Sequence, residues 1–280
     1  MADYVFHVLH NARPEYELDI LYLLEHGQES SSYESLLKEG EQLGYTIGHK
    51  VKTERQLKDV LQLLRDLGLV ERRHIQLTTM GQTISRIVYK NPILFPEIIH
   101  FLYYTTWQKT SKRENCFSWS YKTMCNYLWQ QGSCTIDKSA LFSLVSSEAG
   151  EKFQIQSVSF STNSVTGILL WLEALNPAVI QHDYVDLEPR FTRRAFCTPE
   201  LFILAMDYIY ECENADYGTN LLLNDYRRNA VCQLCLLEPS GFDRVLEYTV
   251  AQFDYLEAGV GGGWGQYIVV NRQPRLEDFV

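Results

Sequence analysis

The side chains best suited to recognising a ligand in this chain lie on one predicted helix. Four polar residues recur at the spacing i, i+3, i+7 and i+10: Arg55, Lys58, Gln62 and Arg65. This spacing puts them on one side of a helix, and arginine and glutamine can each make paired hydrogen bonds to base edges in the major groove of DNA. The stripe therefore predicts either a face that contacts nucleic acid or the ordinary solvated side of an amphipathic helix.

Further basic side chains flank the stripe. Two come before the helix and three follow it in a charged turn: Lys50, Lys52, Arg72, Arg73 and His74. Residues 45–90 hold nine lysines and arginines against four aspartates and glutamates, although the whole chain of 280 residues has a net charge of −10. A local excess of positive charge in an acidic chain favours DNA contact over a solvated face. We therefore predict that the flanking cations hold phosphates or probe the minor groove.

The helix that must carry the stripe is the most regular segment of the sequence. Five apolar residues follow the helical repeat on its opposite side: Leu57, Val60, Leu61, Leu64 and Leu67. Thr53 is placed to cap its start. We predict two helices before it, over 14–26 and from a serine cap to about residue 43, with a short basic loop between the second helix and Thr53. A small β-hairpin over 69–77 and a closing helix over about residues 79–89 come after it.

Two short motifs give this part of the chain a family likeness. Residues 64–70 read LRDLGLV and residues 77–81 read LTTMG. They resemble the pattern LxxLGLV…LTxxG of winged helix-turn-helix transcription regulators, over about residues 14–90. The resemblance implies that the third helix and the basic tip of the hairpin, the wing, contact DNA. Winged helices also serve as protein-docking modules, so docking stays an alternative.

The predicted fold class is mainly α, with short β-hairpins. We predict three parts: a winged-helix domain over 1–90, a second helical domain over 91–195, and a helical region over 196–280 with a glycine-rich turn and a terminal strand. The last region is predicted to hold helices over about 199–212, 224–237 and 241–257. The order of helices in the second part predicts a tandem copy of the winged-helix unit.

A second resemblance links the first two parts. The segments 77–81, 91–92, 96–102 and 117–119 are similar in order to an uncharacterised bacterial domain found beside DNA-phosphorothioation and other phage-defence genes. The similarity covers about a third of the chain. It implies a bacterial protein engaged in DNA transactions, in a regulatory or phage-defence system.

Other groups with chemical potential have plainer interpretations. The pair Cys232 and Cys235 lacks a second pair at zinc-binding spacing, so buried thiols are expected. Glu97 and His100 form half of a dimetal signature whose second half is missing, which favours a histidine in the core. A belt of aromatic residues between positions 101 and 129 could stack on bases, but its helical spacing predicts packing between helices.

Five further residues leave two interpretations open. Asp183, Asp186 and Glu188 could hold a metal ion for hydrolysis, or belong to a solvated loop. His7 and His10 could be ligands, or part of a terminal segment.

Common enzyme signatures are missing from the sequence. It has no P-loop and no GxSxG, HExxH or (D/E)xK pattern, so we predict no catalytic residue, metal or cofactor. It has no signal peptide or apolar span, and its seven cysteines are an odd number. These features predict a reduced, cytoplasmic protein that does not enter a membrane.

The combined prediction is a non-catalytic protein that binds double-stranded DNA through a winged helix. Its acidic remainder is expected to dock a protein partner or a second copy of the chain. The alternative is a tandem winged-helix interaction subunit of a larger DNA-processing complex. Such a subunit resembles the acidic winged-helix partners of chromosome-organising ATPases.

Overall fold

The computed structural model describes residues 4–26, 32–51, 53–182, 188–263 and 265–280. The fold is mainly helical, which confirms the predicted fold class at that level. The helices are α1 (Pro14–His26), α2 (Tyr33–Gln42), α3 (Thr46–Lys50), α4 (Glu54–Asp66), α5 (Thr79–Lys90), α6 (Leu94–Thr110), α7 (Cys116–Gln131), α8 (Lys138–Phe153), α9 (Thr162–Glu173), α10 (Pro199–Glu213), α11 (Asp225–Cys235) and α12 (Phe242–Gln252).

By mutual contact the chain forms two units. Unit 1 comprises Met1–Tyr121, Asp137–Ala174 and Val280, and unit 2 comprises Lys122–Ile136 and Leu175–Phe279. The predicted three-part division at residues 90 and 195 stays a prediction.

The helices of unit 1 begin where their caps place them. The Thr53 hydroxyl accepts a hydrogen bond from the Gln56 amide at 3.2 Å, and the Gln56 side chain bonds back to the Thr53 amide. This capping box satisfies two amides that the first turn of α4 would leave open. Ser32 caps α2 by the same arrangement. The caps therefore fix where both helices start, from local sequence alone.

The motif LxxLGLV…LTxxG forms one local structure after α4. Gly68 has φ +76°, a backbone conformation that favours glycine. The Thr78 hydroxyl donates to the Gly68 carbonyl at 2.7 Å and also caps α5. At Gly81 a Cβ would collide with the Leu69 carbonyl. Gly68, Thr78 and Gly81 of the motif thus each have a geometric role, namely to let α5 pack against the end of α4.

The predicted hairpin over 69–77 is small. Val70 and Leu77 form an isolated antiparallel bridge. The Glu71 amide donates to the Gln76 carbonyl at 2.9 Å, and the Thr78 amide donates to the Leu69 carbonyl at 2.9 Å. We call residues 71–76, which protrude beyond this bridge, the wing tip.

The core of unit 1 is rich in aromatic side chains. Tyr103 and Tyr121 stack with their ring centroids 4.7 Å apart, and Trp171 packs against Tyr103 at 6.0 Å. His100 lies in the same core, with its Nδ1 atom 2.8 Å from the Tyr121 hydroxyl. The part of the aromatic belt within unit 1 is therefore mostly core, as its spacing predicts.

Unit 2 carries two antiparallel sheets. Strands β1 (Ser133–Thr135), β3 (Pro189–Thr192) and β2 (Ile180–His182) form one, in that spatial order, and β4 (Leu221–Leu222), β6 (Gly265–Val270) and β5 (Leu256–Gly261) form the other. The fully buried Phe191 pairs with Cys134 on one side and with Ile180 on the other.

Two local predictions from the sequence were wrong. The basic stretch before α4 was expected to be a loop, but it contains α3. A helix was expected to run from residue 241 to 257, yet α12 ends at Gln252 and the chain enters β5 at Leu256. Both errors arise because short elements are decided by packing and pairing more than by propensity.

Candidate nucleic-acid interface

α4 has two contrasting faces. The residues of its apolar face are buried: Leu57, Val60, Leu61, Leu64 and Leu67. Among the four residues of the predicted stripe, Arg55, Lys58 and Gln62 are exposed and Arg65 is half-buried. Burial of the leucines against unit 1 is what turns the stripe outward.

Several of the predicted contact residues have no partner within the molecule. Among the described residues, none forms a hydrogen bond or an ion pair with the side chains of Lys50, Arg55, Arg73 or His74, and all four are exposed. Arg73 and His74 lie on the wing tip, Lys50 ends α3, and Arg55 lies in the first turn of α4. Lys52 lies outside the described residues.

Other cations of the predicted set pair with acidic groups. Lys58 Nζ lies 2.7 Å from Glu54 Oε1, and this hydrogen bond raises the pKa of Lys58. Arg72 donates to Glu114 Oε1 at 3.0 Å. Ion pairs between such exposed side chains are weak because water screens them, so a phosphate could replace the carboxylate at little cost.

The middle of the stripe bonds within α4 and to the wing. Gln62 Nε2 donates to Asp66 Oδ1 at 2.7 Å, and Arg65 Nε donates to the Glu71 carbonyl at 3.2 Å. Burial raises the pKa of Asp66 to about 6, although the hydrogen bond from Gln62 and the nearby Arg72 lower it. The stripe is therefore a mixed polar surface in which carboxylates alternate with the basic groups.

An extended segment lies along this polar surface. Residues 4–12, which we call the strap, alternate between buried and exposed side chains, with Phe6 and Val8 inward and His7 exposed. The strap and α4 enclose two clefts that share His7 and Leu9. One, of about 510 Å³, is lined by Gln62, Arg65, Asp66, Arg72 and Glu114 together with Val5. The other, of about 320 Å³, is lined by strap residues 7–11, Arg55, Gln56, Asp59 and the start of α9.

Sequence reasoning missed the acidic and strap components of this surface. Asp59 accepts a hydrogen bond from Asn11 Nδ2 at 3.0 Å, across 48 positions of sequence. Glu114 reaches Arg72 across 42 positions. The alternation of apolar residues at Phe6 and Val8 was a period-two signal that could have revealed an extended, packed segment. No local pattern indicates which helix such a segment covers.

The other candidate sites of the sequence have different surroundings. Cys232 and Cys235 are buried, as is Cys197, whose thiol hydrogen-bonds Cys235. Burial raises the pKa of Cys232 to about 12, which makes its thiol a poor nucleophile. No group of three or more histidine, cysteine or acidic side chains within the described ranges is arranged to hold a metal ion.

The remaining predicted ligands are only partly described. Glu188 is exposed, whereas Asp183 and Asp186 lie outside the described residues. His7 is exposed, and its Nδ1 atom lies 3.2 Å from the Ser164 hydroxyl. The same strap holds His10, which is exposed beside the smaller cleft.

Comparison with known proteins gives no relative from which a function could be inferred. No protein-family model matches the chain, and neither curated proteins nor solved structures match it. In the part of the chain that the structure describes, none of the helices has both the length and the apolar character to cross a membrane. The function of the surface must therefore follow from its own geometry and charge.

Proposed function

We propose that this protein binds double-stranded DNA through the cations of α3, α4 and the wing tip, without catalysis. The observation that carries the proposal is the set of exposed basic side chains with no partner among the described residues: Lys50, Arg55, Arg73 and His74. The stretch that holds them has an excess of positive charge in a chain of net charge −10. Exposed, unpaired cations within one stretch of helices and hairpin match what phosphate binding requires.

The chemistry divides the surface into two roles. Lys50, Arg55 and Arg73 contact phosphates, which position the protein and give affinity without sequence information. Gln62 and Arg65 carry the groups that can read base edges, since amide and guanidinium side chains match adenine and guanine respectively. Arg72 and Lys58 exchange their carboxylate partners for phosphates when DNA binds.

The proposal is tested by titrating a short labelled duplex at several salt concentrations. Arg73→Glu reverses a charge that has no partner among the described residues, so it should leave folding intact and weaken binding to every sequence about equally. Arg244→Glu is the matched control, because Arg244 is also exposed and lies on α12 in unit 2. Binding by the Arg73 variant that equals the wild type at low salt would refute the proposal.

A docking function for the same surface has some support. Lys58 and Arg72 already have acidic partners within the molecule, so the surface carries less free positive charge than the sequence suggests. A docking module would bind its protein partner with little dependence on salt, whereas DNA affinity falls steeply as salt rises. The salt titration thus separates the two functions. A place in a bacterial regulatory or phage-defence system stays a prediction of the resemblance.

A further inference from the structure

The strap is firmly anchored within unit 1. Phe6 is fully buried, with its ring centroid 5.3 Å from that of Phe153 and 6.0 Å from that of Trp119. The Val5 amide donates to the Arg113 carbonyl at 3.0 Å, and the Ser159 hydroxyl donates to the Tyr4 carbonyl at 3.2 Å. The strap is therefore a packed, hydrogen-bonded part of unit 1.

Its backbone also runs very close to α9. A Cβ added at Gly167 would lie 3.0 Å from the Val8 carbonyl oxygen and 3.2 Å from the His10 amide nitrogen. These approaches are tighter than ordinary van der Waals contact. Glycine at position 167 therefore lets the strap backbone pack directly on α9, and the side chain of any larger residue would contact the strap too closely.

The opposite side of the strap lies along the polar face of α4. Asn11 bonds Asp59 in the middle of the helix. His7 and Leu9 line the larger cleft with Gln62 and Arg65. A duplex that offers its major groove to α4 must surround the helix on this face. Clefts of about 510 and 320 Å³ cannot admit a duplex, so strap and duplex compete for the same face.

We propose that the strap is an autoinhibitory segment: while docked it lies against α4 beside Gln62 and Arg65. There it obstructs the approach of a duplex to this face, so base edges reach these side chains only when the strap leaves α4. The inference rests on the proposed DNA binding and names how it is regulated. Phosphate contacts from Lys50 and Arg73 remain open with the strap docked. Release of the strap adds the contacts of α4, and with them affinity and discrimination between sequences.

The competition can be measured in the wild-type protein. If DNA binding and strap docking exclude each other, thermodynamic reciprocity requires that saturating duplex loosen the strap. Hydrogen exchange at the Val5 amide, which is bonded to Arg113, should therefore speed up when duplex is added. A strap whose exchange stays the same or slows while duplex is bound would overturn the inference. This measurement needs no variant.

A variant that weakens strap docking without changing any charge tests the same inference through duplex affinity. Gly167→Ala places a methyl group against the strap without changing any charge, and should raise duplex affinity about fivefold. Gly150→Ala in α8 is the matched control, since a Cβ there would meet its nearest neighbour at an ordinary 3.5 Å. Both substitutions raise helix propensity by the same amount. A difference in duplex affinity between the two variants therefore comes from the contact between residue 167 and the strap.

The outcomes separate the two proposals. If Gly167→Ala speeds exchange in the strap but leaves duplex affinity unchanged, the strap is not inhibitory, while binding that is sensitive to Arg73→Glu keeps the proposed function. If no variant binds duplex even with the strap loosened, the proposed function itself fails. Should Gly167→Ala not fold, the exchange experiment on the wild type decides.

Discussion

At the scale of single residues, Glu17 is the most unusual side chain in the described structure. It is fully buried in α1, and neither carboxyl oxygen has a hydrogen-bond partner among the described residues. Burial raises its pKa well above the ordinary value. A buried carboxyl without a partner is tolerable only when it is protonated, because an unpaired charge in an apolar core costs several kcal/mol.

The first prediction concerns the pH dependence that Glu17 imposes. Because its folded-state pKa is raised, the native state holds this proton more tightly than the unfolded state. Stability should therefore be complete below the ordinary carboxyl pKa of about 4.5 and fall as pH rises towards the folded-state pKa. Glu17→Gln should stabilise the protein by about 1–3 kcal/mol at neutral pH and by much less at about pH 4.

Urea denaturation of the wild type and of Glu17→Gln, at neutral pH and at about pH 4, measures this difference in stability. Glu15→Gln, at an exposed position on the same helix, is the control and should change little. An equal effect of Glu17→Gln at both pH values would show that ionisation of Glu17 is not the cause.

At the scale of elements, the contacts between the end of α4 and the start of α5 hold the wing tip in place. α5 approaches the Leu69 carbonyl so closely at Gly81 that no side chain fits. Thr78 bonds both the Gly68 carbonyl and the amide of Gly81. The wing tip therefore depends on a few backbone contacts at its base, and the bridge between Val70 and Leu77 adds little more.

The second prediction is that Gly81→Ala destabilises unit 1 by about 1–3 kcal/mol, because the new methyl group forces α5 away from Leu69. Gly262→Ala is the control, since a Cβ there meets nothing within 4 Å. Thermal melts followed by circular dichroism measure both. If the two alanine variants melt at the same temperature, α5 can accommodate a methyl group at position 81 and the prediction is wrong.

At the scale of the whole molecule, the sign of the charge changes along the chain. The chain has a net charge of −10, while the stretch 45–90 has nine basic residues against four acidic ones. The rest of the chain therefore sums to −15, and the proposed DNA contact depends on the positive charge of this one stretch.

The third prediction follows from counting the free charges on that surface. Lys50, Arg55 and Arg73 are the permanent cations of the predicted set that have no partner among the described residues. Three phosphate contacts should give a plot of log affinity against log salt with a slope of about −3. If Lys58 and Arg72 also bind phosphates, the slope steepens to about −5. A slope near zero would favour the docking function.

Much of the helical framework followed from the sequence by itself. The position and length of α4 follow from the repeat of Leu57, Leu61 and Leu64 and from the Thr53 cap, because helix hydrogen bonds and caps join residues only three or four positions apart. The exposed polar stripe follows from the same repeat. Local signals of this kind need no knowledge of the tertiary structure.

Only the tertiary structure decided what the stripe faces. The strap lies on α4 through the bond from Asn11 to Asp59, and Arg72 is paired by Glu114, both across more than forty positions. The burial of Glu17 likewise depends on helices distant in sequence. Such contacts depend on how whole elements pack, and one helix's periodicity shows which side faces inward but not which segment lies against the other side.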